Sequence, residues 1–219
     1  MIRPGKGIYG YERALLRAGL GPVAGADEAG RGACAGPLVA AAVMLSQKPS
    51  RKIEGLKDSK LLSATQREAL YEQIMTKADA VACVQISPQE CDELGMHEAD
   101  LQGLRRALLQ IDPTPGFGLT DGFFVSGLPF ASLAVWKGDQ VSACVSAASI
   151  VAKVTRDRLM VDLDAAHPGY GFAEHKGYCT VEHQSALEQL GPCPQHRMCF
   201  DNVRRTVRGG DADGSVLPG

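Results

Sequence analysis

Acidic side chains interrupt apolar, strand-like sequence at two places and stand beside a helix start at a third. Asp27 and Glu28 fall near the end of the run Val23–Ala29, Asp121 lies in the run Phe117–Val125, and Asp139 stands just ahead of a long helical pattern. A carboxylate in such a run is costly unless it is paired or bound to a cation. Each also has an ordinary structural use. Asp27 could cap a turn or pair with Arg31, Asp121-Gly122 is a favoured hairpin dipeptide, and Asp139 could N-cap the helix. As a set they say more, because strand ends and helix starts are the places from which side chains converge on one cleft. Converging carboxylates raise one another's pKa unless a divalent cation lies among them. Magnesium or manganese suits an all-oxygen set and completes its shell with water and phosphate oxygens. Two such ions can activate a water on one side of a phosphodiester and stabilise the leaving oxygen on the other, so the indicated chemistry is phosphodiester hydrolysis.

Two geometric conditions limit this set. Neighbours in a regular strand point to opposite faces, so Asp27 and Glu28 share a site only if the strand ends or twists there, which Gly30 and Gly32 permit. Asp157 competes for the fourth position, but 18 residues separate it from Asp139, roughly 27 Å along a helix. Asp139, at the helix start, is the preferred member, and Asp157 is left to pair with Lys153 or Arg156 on the surface.

The elements that must carry these residues follow from periodicity and capping. A short amphipathic helix is expected over Tyr11–Leu20, with strands at Val23–Ala29, Pro37–Leu45, Ala80–Ile86, Phe117–Val125 and Ser132–Trp136. Ser63-x-x-Gln66 and Ser87-x-x-Glu90 match capping boxes and place helix starts before Arg67–Met75 and Cys91–Leu94. Further helices are expected at His97–Ile111, from Gln140 to Ala166, and at Thr180–Leu190. The first half of the long helix is rich in Ser, Ala and Cys, which lets it lie close against a sheet. The pattern is that of an α/β layer with a mixed sheet, and Gly209–Gly219 reads as a disordered tail.

At 219 residues, with 45% hydrophobic and 22% charged content, the chain suits one buried core. No signal peptide or membrane helix is read from it, and seven cysteines without CxxC spacing suggest reduced thiols in a soluble, cytoplasmic protein, monomeric by default. The net charge of −2 announces no polyanionic partner. Local basic groups exist, from Lys48 to Lys60 and at Arg197, Arg204, Arg205 and Arg208, and either reads equally as solvated surface.

The ordered motifs carry more. Gly25-Ala26-Asp27-Glu28-Ala29-Gly30-Arg31-Gly32, Lys57-Asp58-Ser59-Lys60, Asp121-Gly122, Lys137-Gly138-Asp139, Ala147 to Asp157, Tyr170-Gly171-Phe172 and His175-Lys176-Gly177-Tyr178 together resemble bacterial ribonuclease HII, from about Tyr11 to Arg205. The resemblance implies a ribonuclease H-like α/β fold, a five-stranded mixed sheet flanked by helices, in one catalytic domain over residues 1–208 with a small C-terminal helical part at about 167–208. It implies cleavage of the phosphodiester 5′ to a ribonucleotide, in RNA/DNA hybrids or in DNA with embedded ribonucleotides, by two Mn2+ or Mg2+ ions, leaving 3′-hydroxyl and 5′-phosphate ends. Asp27, Glu28, Asp121 and Asp139 fall on the family's metal-site acids. Gly30, Arg31 and Gly32 fall on the segment whose backbone reads the 2′-hydroxyl, which only glycine lets come close enough. Tyr178 falls on a tyrosine that packs against the following sugar. Lys57, Ser59 and Lys60 fall where phosphate contacts position the duplex. Ala33-Cys34 and the stretch Met198–Val203 depart from the family's usual residues.

Two rival readings remain at this point. A related carboxylate nuclease, such as a junction resolvase, would share the metal chemistry and cut without regard to a 2′-hydroxyl. A zinc-bound interaction module is suggested by His175, Cys179, His183, Cys193, His196 and Cys199, although their spacing differs from common zinc patterns.

Overall fold

In the computed structural model of the chain, which describes residues 6–57 and 59–210, the small apolar residues of β1 (Val23–Ala29) form the middle strand of a five-stranded sheet. β2 (Leu38–Met44) pairs antiparallel with it, Ala26 opposite Ala42 and Asp27 opposite Ala41. On its other side β4 (Phe117–Asp121) runs parallel, with β5 (Ala131–Val135) parallel beyond. β3 (Ala80–Ile86) lies outside β2, giving the order β3-β2-β1-β4-β5. The sheet is therefore mixed. A central strand covered on both faces needs a nearly continuous apolar run, and six of the seven residues of β1 are buried.

The helices follow the expected order with shifted limits. α1 (Gly10–Arg17) stops before Gly19, whose φ of +74° turns the chain. α2 (Ala64–Lys77) has the full capping box between Ser63 and Gln66, and α3 (Pro88–Leu94) is capped by Ser87. α4 (Met96–Gln110) and α8 (Val181–Leu190, capped by Thr180) are close to their expected bounds. The short α7 (Phe172–His175) and α9 (Asp201–Gly210) were not individually legible. Residues 209 and 210 close α9, and the rest of the expected tail lies outside the described residues.

Two expectations are corrected. β4 ends at Asp121 rather than Val125, because Gly122 turns at φ +65° and its N–H bonds the Val135 carbonyl. The long helix is interrupted: α5 (Gly138–Val141) is followed by extended Ser142, and α6 (Ala143–Ala166) begins anew. The break is held by buried Glu12, whose Oε1 accepts from Ser142 Oγ at 2.7 Å and from the Cys144 N–H at 2.9 Å. A carboxylate brought from α1 thus caps α6 across 132 residues of sequence. Asp139 consequently lies inside α5, not at the cap of a long helix.

The described chain falls into two compact units. One comprises the residues up to Ala29, Val39–Gln85 and Asp100–Thr155. In it α4 covers one core through Leu104, Ala107 and Leu108 against Ala24, Ala26 and Ala42, while Leu15, Val23, Leu119 and Val145 form another. The need for small residues is direct at Gly25, where a Cβ would come within 2.3 Å of the backbone of Cys144 and Val145. The other unit comprises Gly30–Leu38, Ile86–Ala99 and the chain from Arg156 onward. Its cores gather Ala35, Met160, Tyr170 and Phe172, and Cys34, Leu187 and Val203.

Candidate active site

The sheet unit carries all four acids named from the sequence. Asp27, buried at the end of the central strand, has one carboxylate oxygen 2.7 Å from the Glu28 N–H. Its carboxyl is pushed well above the usual carboxylate range, first by burial and then by the charges of Glu28 and Asp121. Three of the four acids are thus near enough for their charges to act on one another. Asp121, half-buried at the end of β4, accepts the Gly138 N–H at 2.6 Å, which ties the start of α5 to the strand end one residue before buried Asp139. Lys137, at φ +52°, makes the tight entry into that helix.

The Asp27 carboxylate also accepts from Ser149, whose hydroxyl lies 2.9 Å from that of Ser59. With the Ser149 proton directed at Asp27, Ser59 donates to Ser149. Ser59 is buried, so its hydroxyl faces the acid cluster rather than open solvent. Lys57 and Lys60 beside it are exposed, and Asp58 lies outside the described residues. Ser149 was not singled out from the sequence; its only signal was membership of the small-residue half of α6.

In kind, these donors fit a hard divalent cation: they are oxygens only, and burial together with two acidic neighbours makes the charged form of Asp27 costly unless a cation shares the space. As the side chains stand, no three His, Cys, Asp or Glu residues among those described are drawn close enough to hold an ion.

The other unit carries Gly30, Arg31, Gly32 and Tyr178. Gly30 adopts φ +91°, and a Cβ there would lie 1.8 Å from Arg156 Nε. Gly32 is exposed, and a Cβ on it would stand 3.9 Å from the Tyr178 ring, so this glycine and the 39% exposed tyrosine are neighbours. Beneath them lie two buried arginines. Arg156 donates to the carbonyls of Pro37, Ala35 and Lys176 at 2.9–3.0 Å, with its guanidinium 5.6 Å from the Tyr178 ring centre. Arg197 donates to Gly36 at 2.8 and 2.9 Å and to Gly30 at 2.7 Å. Burial lowers both pKa values, that of Arg156 to about 10. Both findings correct the sequence reading, which put Arg197 in a basic surface group and left Arg156 on the surface for Asp157. Of that basic group, Arg204 and Arg205 are exposed.

The Cys/His group reads differently once its hydrogen bonds are followed. His183 Nδ1 lies 2.9 Å from the Tyr178 carbonyl and so carries the proton; its Nε2 then accepts from His196 Nε2 at 3.1 Å, and His196 Nδ1 accepts from the Cys193 N–H at 3.0 Å. This arrangement needs no added proton on either ring, and burial, followed by the charge that a protonated His183 would carry, lowers the His196 pKa to about 4. The ring nitrogens are committed to one another and to backbone, which removes the basis for the zinc reading.

The sequence model of the family described as Ribonuclease HII matches residues 24–203, which span the acid cluster, the glycine loop and Tyr178. The chain belongs to the ribonuclease HII family. A ribonuclease HII from Cutibacterium acnes is 62% identical over 199 residues, covering 91% of this chain and 98% of that protein. Another from a Nocardioides species is 57% identical, covering 94% and 86%. The crystal structure of ribonuclease H2 from Pyrococcus horikoshii superposes with a TM-score of 0.74 at 30% identity, over 87% of this chain and 99% of that one. The fold is ribonuclease H-like, as expected, and the activity of ribonuclease HII is endonucleolytic hydrolysis of RNA in RNA/DNA hybrids. Among the described residues no helix is long and apolar enough to cross a membrane.

Proposed function

We propose that the chain, acting in the cytoplasm, cuts the phosphodiester 5′ to a ribonucleotide, in hybrids and in DNA duplexes carrying single ribonucleotides. The observation that carries this reading is the buried Asp27 carboxyl, pushed well above the usual carboxylate range first by its burial and then by the charges of Glu28 and Asp121. Asp27, Glu28, Asp121 and Asp139 would hold Mn2+ or Mg2+, which supplies charge stabilisation at the phosphodiester and a more acidic water. Ser149, backed by Ser59, orients the Asp27 carboxylate. The Gly138 N–H does the same for Asp121. The backbone of Gly30, Arg31 and Gly32 meets the 2′-hydroxyl, and Tyr178 packs against a sugar. Arg156 and Arg197 fix that loop by taking up its carbonyls, a positioning role. Lys57 and Lys60 contact phosphates without reading sequence.

The test is cleavage of an end-labelled DNA duplex with one ribonucleotide, beside an all-DNA duplex, with Mn2+, with Mg2+ and with chelator. A metal-dependent cut only on the 5′ side of the ribonucleotide, leaving 3′-hydroxyl and 5′-phosphate ends, is the expected result. An equal cut in all-DNA duplex would instead favour a junction-resolvase-like nuclease.

A further inference from the structure

Two buried imidazoles, those of His183 and His196, take no part in the chemistry above, yet their hydrogen bonds lead to the backbone of Tyr178. The Tyr178 carbonyl accepts from His183 Nδ1 at 2.9 Å and from the Thr180 N–H at the same distance. His183 stands in the first turn of α8, where its own N–H donates to the Thr180 hydroxyl at 3.2 Å. Its ring thus reaches back from the helix to the turn before it. Behind that ring, His196 Nε2 lies 3.1 Å from His183 Nε2, and the Cys193 N–H donates to His196 Nδ1 at 3.0 Å. Ahead of the tyrosine, the Gly177 N–H donates to His175 Nδ1 at 3.2 Å. The His175 ring stacks on that of His183, 4.2 Å between centres and 13° between planes.

We infer that His183 is a positioning residue for Tyr178, with His196 fixing the tautomer in which it serves, so that the pair governs how well that tyrosine meets a sugar. The inference rests on the role proposed above for Tyr178. A carbonyl accepts only from a protonated nitrogen, so His183 carries its proton on Nδ1 and leaves Nε2 bare. A bare nitrogen buried without a donor is costly. His196 supplies the donor, because the Cys193 N–H occupies its Nδ1 and leaves its proton on Nε2. Each ring therefore determines where the other's proton resides. Burial lowers the pKa of both, that of His196 to about 4, so a single proton lies between the facing Nε2 atoms at neutral pH. The effect reaches the tyrosine ring through its main chain. The Tyr178 N–H donates to the His175 carbonyl at 3.0 Å and its carbonyl is held by His183, which leaves only the side-chain torsions free. A contact group with less freedom to lose binds at a smaller entropic cost.

The test is a double-mutant cycle on the full-length protein, read as kcat/KM on a DNA duplex with a single ribonucleotide, with folding followed by circular dichroism. His183→Leu should lower kcat/KM by about tenfold or more. His183→Asn, whose amide nitrogen takes the place of Nδ1, should stay close to the parent. In a Tyr178→Ala background, His183→Leu should lower kcat/KM no further. Equal losses in both backgrounds, a loss shared by His183→Asn, or no loss in a folded His183→Leu protein would overturn the positioning role. Should His183→Leu fail to fold, nitrogen NMR of the parent decides. At neutral pH His183 should be protonated at Nδ1 alone and His196 at Nε2 alone, the His183 signals being those lost in His183→Asn. A His183 ring protonated at Nε2, alone or with Nδ1, would overturn the inference. The spectrum needs no nuclease activity, so the expected tautomers in a protein whose Tyr178→Ala variant cuts like the parent would count against the proposed role of Tyr178 and not against the hold on its carbonyl.

Discussion

Replacing Gly30 by alanine, beside the same change at Gly32, separates what holds the loop from what the loop does. At Gly30 the left-handed φ of +91° costs an alanine about 1–2 kcal/mol. The new methyl would also lie 1.8 Å from Arg156 Nε and 2.5 Å from its Cδ and Cζ. The guanidinium must move, and its Nε bond to the Pro37 carbonyl at 2.9 Å is the first lost, at about 1.5–3 kcal/mol for a bond to a charged donor. The sum is about 2.5–5 kcal/mol, a large part of the roughly 5–15 kcal/mol that stabilises a typical domain. At Gly32 no left-handed φ is needed and the nearest atom would be 3.9 Å away, so Gly32→Ala should cost less than about 1 kcal/mol. Its methyl would nevertheless stand between the backbone and a ribose, and cleavage should fall. Urea unfolding followed by far-ultraviolet circular dichroism is the assay, since Trp136, the one tryptophan, is 80% exposed and a poor reporter. A Gly30→Ala protein within about 1 kcal/mol of the parent would refute the role given to Arg156. Equal losses of stability at the two positions would refute the separation.

Asp27→Asn and Asp121→Asn should each lower cleavage roughly a hundredfold or more while leaving the fold intact, since asparagine Oδ1 at 121 still accepts the Gly138 N–H; near-parental rates in Mn2+ would show that these acids are not the site. Lys57→Ala and Lys60→Ala should weaken binding to all duplexes alike and each reduce the slope of log K against log salt by about 1, as measured by fluorescence anisotropy; a loss confined to certain sequences would contradict a phosphate role. Glu12→Ala removes the acceptor for Ser142 Oγ and the Cys144 N–H and should cost about 1–3 kcal/mol in urea unfolding, whereas Glu12→Gln, which retains one oxygen, should cost less. His196, with its pKa lowered to about 4, gives stability that is complete above the unfolded value near 6.5 and is lost as pH falls through 4, by roughly 2–3 kcal/mol; His196→Gln should flatten that part of the pH dependence, and an unchanged acid limb would rule the ring out as its source.

Much of the sheet was legible because the rules that made it are local. Val23–Ala29 and Ala80–Ile86 are strands at the residues where apolar runs placed them, and Ser63 with Gln66 forms the capping box their spacing indicated. The acids were visible because charge in an apolar run is conspicuous. What escaped was decided by partners far along the chain. Nothing near Ser142 shows that Glu12 interrupts the helix there, and nothing near Arg197 distinguishes a buried guanidinium from a solvated one until carbonyls 161 and 167 residues earlier come to meet it. Ser59 carries a motif position suited to phosphate, but its burial against Ser149 is a tertiary fact. Tyr178 could be assigned only by resemblance, since a half-exposed tyrosine has no signature of its own.

The dependence of residues 30–37 on Arg156 and Arg197 also sets an order of events during synthesis. A ribosome that has completed the whole sheet, through β5, has still not made either guanidinium that secures the glycine loop, and the bond to Gly30 awaits residue 197. The four acids are therefore translated well before the segment proposed to recognise ribose can be fixed.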